Sequence, residues 1–128
     1  MLLKEKCVQE IIKIWEKLDI VFVSIGSPAS QVYTLATKNI TREKGILNQL
    51  KIAGDICGRF FDEDGNYIKE IKNYNLIAIS FEDLKKIPLR VGIAGGQDKI
   101  ISIKVALFKK LINILVTDEL TAEEILKK

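Results

Sequence analysis

Positions 91–99, VGIAGGQDK, join a short apolar run to a helical pattern through two adjacent glycines. Glycine lets the backbone approach an anion closely, and the free N–H groups and positive dipole end of a following helix supply donors and partial charge. Gly95 and Gly96 are therefore candidate phosphate contacts, with Lys99 in the first turn as counter-charge; an ordinary strand-to-helix turn fits the same spacing. The second candidate is GDICGRFFD at 54–62, where Asp55 and Arg59 interrupt an apolar run. Either the two neutralise each other, or Arg59 offers its planar fork to a carboxylate or phosphate while Asp55 accepts hydroxyl hydrogens. Gly26 and Ser27 end the apolar run at 20–25. The carboxyl end of a central parallel strand is where open α/β sheets bind ligands, although a plain turn before a helix reads the same way. The DEDG stretch at 62–65 resembles the start of a calcium loop, but its glycine comes too early and the closing Glu is missing.

Composition narrows the chemistry. There is no histidine, which removes Ser-His-Asp and Cys-His nucleophiles and the commonest metal ligand. Carboxylates, lysines and tyrosines remain, so an isomerase- or deaminase-like reading would use Asp55 or Glu82 as base and Lys99 to steady an enediolate. Cys7 and Cys57 stand far apart without metal-ligand spacing, as expected of reduced thiols in a cytoplasmic protein. No cofactor or metal is called for. The net charge is +3, and the lysines are dispersed rather than striped, so direct DNA binding by this chain is not expected. The apolar runs are too short to span a bilayer, and the N-terminus does not read as a signal peptide.

At 128 residues and 48% apolar content the chain holds one ordinary core, and no linker or repeat divides it. Val8, Ile11, Ile12, Trp15 and Leu18 fall on one face at helical spacing, predicting an amphipathic helix over 4–18. The run 20–25 is continuously apolar, which predicts a parallel strand covered on both faces. A short helix is possible over 30–37, and Thr41 caps a predicted helix through 52 that stops at Gly54. Further strands are expected at 76–79, 89–94 and 112–116. Helices are expected from Ser80 with Asp83 to Pro88, after the glycine turn through Leu111, and from a capping box of Thr121 with Glu124. Strand, helix, strand, helix predicts right-handed βαβ units and a mostly parallel sheet with helices on both faces.

Taken together, GSP at 26–28, GDICGRFFDxDG at 54–65, FEDLKKIP at 81–88, GGxxK at 95–99 and LINILVTDE at 111–119 resemble the effector-binding domain of SorC-type transcriptional regulators. The resemblance runs over nearly the whole chain with the motifs in family order. It implies an α/β three-layer sandwich with a Rossmann-like sheet, related to sugar-phosphate isomerases and deaminases, that binds a phosphorylated sugar as a signal without chemistry on it. It further implies that Asp55 and Arg59 serve the sugar or phosphate, and Gly95, Gly96 and Lys99 the phosphate end. The helix-turn-helix domain and the first half of the effector domain find no counterpart here. Residues 1–128 thus read as the second half of a larger effector-binding domain, with an uncovered apolar surface that favours homo-oligomers. A dimerisation module that has lost its ligand site is the remaining alternative.

Overall fold

The computed structural model describes residues 2–28, 51–69 and 76–127. Helix α1 (Lys6–Trp15) follows a short 3₁₀ turn and leads into β1 (Ile20–Ser24). A hairpin of β2 (Ile52–Ile56) and β3 (Arg59–Asp62) comes next, then α2 (Phe81–Lys86) and β4 (Leu89–Ile93). A 3₁₀ turn (Gln97–Lys99) opens α3 (Ile100–Phe108), and β5 (Ile114–Val116) and α4 (Glu119–Leu126) complete the order. The predicted helices at 30–37 and 41–52 lie outside the described residues apart from Lys51 and Ile52; Ile52 opens β2 and Gly54 pairs with Phe61 inside that strand, so Gly54 is not a helix stop.

Three strands form an all-parallel sheet in the order β1-β4-β5, and the hairpin is a separate antiparallel pair. The hairpin is tied to the sheet by an isolated bridge in which the N–H of Gly26 donates to the carbonyl of Asp55 at 2.9 Å and Asp55 returns the bond at 3.2 Å. In parallel strands laterally paired residues share a face, so the registers Val23↔Gly92↔Leu115 and Phe22↔Val91↔Ile114 define the two sides. Val23, Ile25, Ala94 and Ile112 meet Phe81 and Leu84 from α2, Ile87 just after it, and Ile103 and Ala106 from α3 in one core, which also takes Ala53, Ile56 and Phe61 of the hairpin. α4 packs against α3.

Four sequence expectations need correction. Strand β1 is not covered on both faces, since Phe22 is exposed while Val23 is buried. Residues 76–79 make no ladder among the described residues; their carbonyls are used by a side chain instead, as shown below. The 112–116 strand is shorter, because Ile112 is drawn into the core by its N–H bond to Ala106 and only Ile114–Val116 pairs with β4. The last helix starts earlier than its Thr121–Glu124 pattern suggested. Asp118 is the N-cap and accepts from the N–H of Thr121, which places Thr121 inside the first turn.

Candidate functional site

The carboxyl ends of β1, β4 and β5 point the same way, and the loops leaving them converge. β1 ends at Gly26 and Ser27, β4 at Gly95 and Gly96, and β5 at Thr117 and Asp118. Ser27 is fully buried, and its hydroxyl donates to Asp98 Oδ2 at 2.7 Å, tying the end of β1 to the glycine turn. Of the residues singled out from sequence, Gly26, Ser27, Asp55, Gly95, Gly96 and Lys99 are brought to this end of the sheet; Arg59 is not.

Each of the two closest glycines makes room for one of the protein's own carboxylates. A Cβ on Gly26 would lie 1.9 Å from Asp55 Oδ1, and a Cβ on Gly95 would lie 2.1 Å from Asp118 Oδ2. Both contacts are far inside van der Waals range, so a side chain at either position displaces the acid. Asp118 is held by the backbone N–H and hydroxyl of Thr121, at 2.9 and 2.7 Å, and these bonds keep its carboxyl below the usual carboxylate range. The N–H of Gly96 donates to Thr121 Oγ1 at 2.8 Å. The expectation that both glycines of the turn offer free amides therefore fails at Gly96, whose donor is taken by α4. The Thr117 hydroxyl is buried next to Gly95 with no partner among the described residues.

Arg59 does something other than expected. Its Nε donates to the carbonyl of Ile79 at 2.8 Å and its Nη2 to that of Ala78 at 2.7 Å, and the guanidinium lies 5.4 Å from the Tyr67 ring centroid. The hairpin register explains why it and Asp55 part company. Asp55 pairs with Phe60 and Ile56 with Arg59, so Asp55 and Arg59 project from opposite faces of the hairpin. The arginine's planar fork satisfies an extended segment whose carbonyls have no ladder.

The assembled group is thus rich in carboxylates and hydroxyls, with Asp55, Asp98 and Asp118 beside Ser27, Thr117 and Thr121, and Lys99 stands in the same turn, its backbone N–H bonded to the carbonyl of Gly96 at 3.0 Å. Such a set accepts hydroxyl hydrogens from a polyol and offers one ammonium to an anion. Asp98, Asp118 and Thr121 were missed from sequence. The signal for Asp118 was its position directly after a strand and before a helix, the same reasoning that selected Gly26 and Ser27. A shallow cleft of about 260 Å³ lined by Trp15, Glu16, Leu18, Asp83, Lys86 and Ile87 sits at the amino ends of β1 and β4, the opposite end of the sheet.

Comparison with known proteins matches residues 1–127 to the Sugar-bind family, described as "Putative sugar-binding domain". The transcriptional regulator LsrR of Escherichia coli is 35% identical over 127 residues, covering 96% of this chain and 40% of that protein. The solved full-length sorbitol operon regulator SorC of Klebsiella pneumoniae superposes with a TM-score of 0.86 at 33% identity, over 98% of this chain and 41% of that one. A solved DeoR family transcriptional regulator from Listeria monocytogenes gives a TM-score of 0.81 at 32% identity, over 98% of this chain and 51% of that one. The chain therefore spans between about two fifths and a half of these relatives.

Proposed function

Because this chain belongs to the Sugar-bind family along nearly its whole length, we propose that it is the ligand-reading part of an effector-binding domain that senses a phosphorylated sugar for a transcriptional regulator. The observation that carries this reading is the convergence of Asp55, Asp98, Asp118 and Lys99 on the carboxyl ends of three parallel strands in a chain of that family. The carboxylates and the buried hydroxyls accept and donate to sugar hydroxyls, and Lys99 meets the phosphate. Lys99 is half-buried at the start of α3 and makes no capping bond. Binding is read as a signal, without turnover. The acids are spent on positioning bonds to Ser27 and Thr121, which suits recognition better than a base poised to take a proton.

This reading places the protein in the cytoplasm, where sugar phosphates are found; among the described residues no helix is long and apolar enough to cross a membrane. It also assigns DNA recognition to another part of the regulator, so the chain alone should give no sequence-specific gel shift at physiological salt. Calorimetric titration against pentose and hexose phosphates, with inorganic phosphate as control, tests the ligand. Lys99→Ala should remove a charge-assisted contact of roughly 1.5–3 kcal/mol and weaken binding about ten- to a hundredfold with little change in unfolding temperature. Equal affinity of wild type and Lys99→Ala, or no heat at millimolar ligand, would leave only a structural role for the glycine turn.

A further inference from the structure

The turn that carries Lys99 is held at three points by three different elements. The N–H of Ala94, at the end of β4, donates to the carbonyl of Val116 in β5 at 3.2 Å. Further along, the N–H of Gly96 donates to Thr121 Oγ1 of α4 at 2.8 Å, and Asp98 Oδ2 accepts from the hydroxyl of Ser27, just after β1, at 2.7 Å. The N–H of Lys99 then donates to the carbonyl of Gly96 at 3.0 Å, so the place of Gly96 sets that of Lys99. Gly96 has φ 114° and ψ 149°, a conformation that residues with side chains rarely adopt and that glycine enters and leaves with little cost. The backbone there has little stiffness of its own, and the bond from α4 supplies it.

Thr121 has little freedom to let go. It is 1% exposed, and its hydroxyl hydrogen goes to Asp118 Oδ2 at 2.7 Å. A hydroxyl has one hydrogen, so that donation turns its lone pairs toward the Gly96 amide. Asp118 is fixed in turn by the backbone N–H of Thr121 at 2.9 Å. A carboxylate acceptor at the head of the chain strengthens the bonds that run from it through the hydroxyl to the amide. α4 packs on α3, and Lys99 is the N-cap of α3, so the turn and the hydroxyl that holds it belong to one pair of helices. We infer that Thr121 is a positioning residue: acting through the Gly96 amide, its hydroxyl fixes the glycine turn and so places Lys99 for the phosphate group of a sugar phosphate. The phosphate half of this statement rests on the ligand reading above; the holding of the turn does not.

The test uses hydrogen exchange without any sugar, followed by titration. Thr121→Val is close to threonine in shape and keeps the backbone N–H that bonds to Asp118, so α4 retains that cap bond and loses only the hydroxyl. Exchange of the Lys99 amide should then quicken about tenfold, although that amide bonds to Gly96 and not to Thr121, while rates over 89–93 hold. Thr121→Ser returns the hydroxyl and should restore the Lys99 rate. Ser80→Ala removes a cap hydroxyl from α2 instead, and as the control for a general loss of stability it should leave the Lys99 rate unchanged. In calorimetric titration with fructose 6-phosphate and ribose 5-phosphate as probes, Thr121→Val should bind about tenfold more weakly and Thr121→Ser like wild type. An unaltered Lys99 rate in Thr121→Val, or the same acceleration in Ser80→Ala, would overturn the inference. So would a valine variant that binds either probe as tightly as wild type does. If wild type binds neither probe, the ligand reading fails by itself, and the exchange rates still decide whether Thr121 holds the turn.

Discussion

At the scale of single residues, the site rests on two absent methyl groups. Gly26→Ala puts a Cβ on Asp55 Oδ1 and Gly95→Ala puts one on Asp118 Oδ2, so each forces its carboxylate to swing away. Overpacking of this kind costs about 1–3 kcal/mol, and both variants should unfold at lower temperature and lose sugar-phosphate affinity together. Arg59→Ala should separate those two readouts. It strands the carbonyls of Ala78 and Ile79 and removes the stack on Tyr67, so stability should fall by about 2 kcal/mol while the affinity of the remaining folded protein is unchanged. A parallel loss of affinity would return Arg59 to the ligand site. The sequence marked Asp55 and Arg59 as a pair needing a reason. It could not show that strand alternation sends them to opposite faces, because that depends on the hairpin register.

At the scale of elements, the caps were the most legible feature, and each carries a carboxylate held below its usual range. Ser80 accepts from the N–H of Asp83 and donates to its carboxylate, so Ser80→Ala should cost α2 about 1 kcal/mol, read as a lower midpoint in urea. Lys86 and Ser80 hold Asp83 below the usual carboxylate range, and Thr121 does the same for Asp118. A carboxyl depressed in the folded state contributes stability that is fully present above its unfolded value of 3.8 and is lost as pH falls through the lower folded value. The unfolding temperature should therefore hold from pH 7 down to about 5 and drop below about 4. Asp118→Asn should flatten that acid limb, and an unchanged limb in this variant would show that Asp118 carries none of it. The helix at 119–126 was found by its Thr121–Glu124 capping pattern, yet its cap was misplaced by three residues. Thr121 and Asp118 are both good cap formers, and only the strand end at Val116 decides which is the boundary.

At the scale of the whole molecule, the described residues place α2 and α3 on one side of a three-stranded sheet. Leu84 is fully buried where α2 meets the sheet, and Leu84→Ala should cost about 2–5 kcal/mol, a loss large enough that calorimetry should show a broadened or missing transition. Phe22→Ala, on the opposite face, should leave the transition nearly unmoved, since its side chain is already mostly in water. An equal loss at both positions would mean that Phe22 is covered after all.

What the sequence by itself determined was the chain's class and most of the residues that gather at the carboxyl ends of its parallel strands. The apolar runs, the glycine turn and the Ser80 cap specify βαβ units, because period, capping and turn chemistry are local properties. The order of motifs pointed to the family to which residues 1–127 belong. What only the tertiary structure decided was non-local. The continuous apolar run at 20–25 reads as a strand covered on both faces, since hydrophobicity records what a face is built to bury and not whether anything in the same chain buries it. The meeting of Asp55 with Gly26 and of Asp118 with Gly95 needed the strand ends in register, a relation between residues 29 and 23 positions apart that no local pattern encodes.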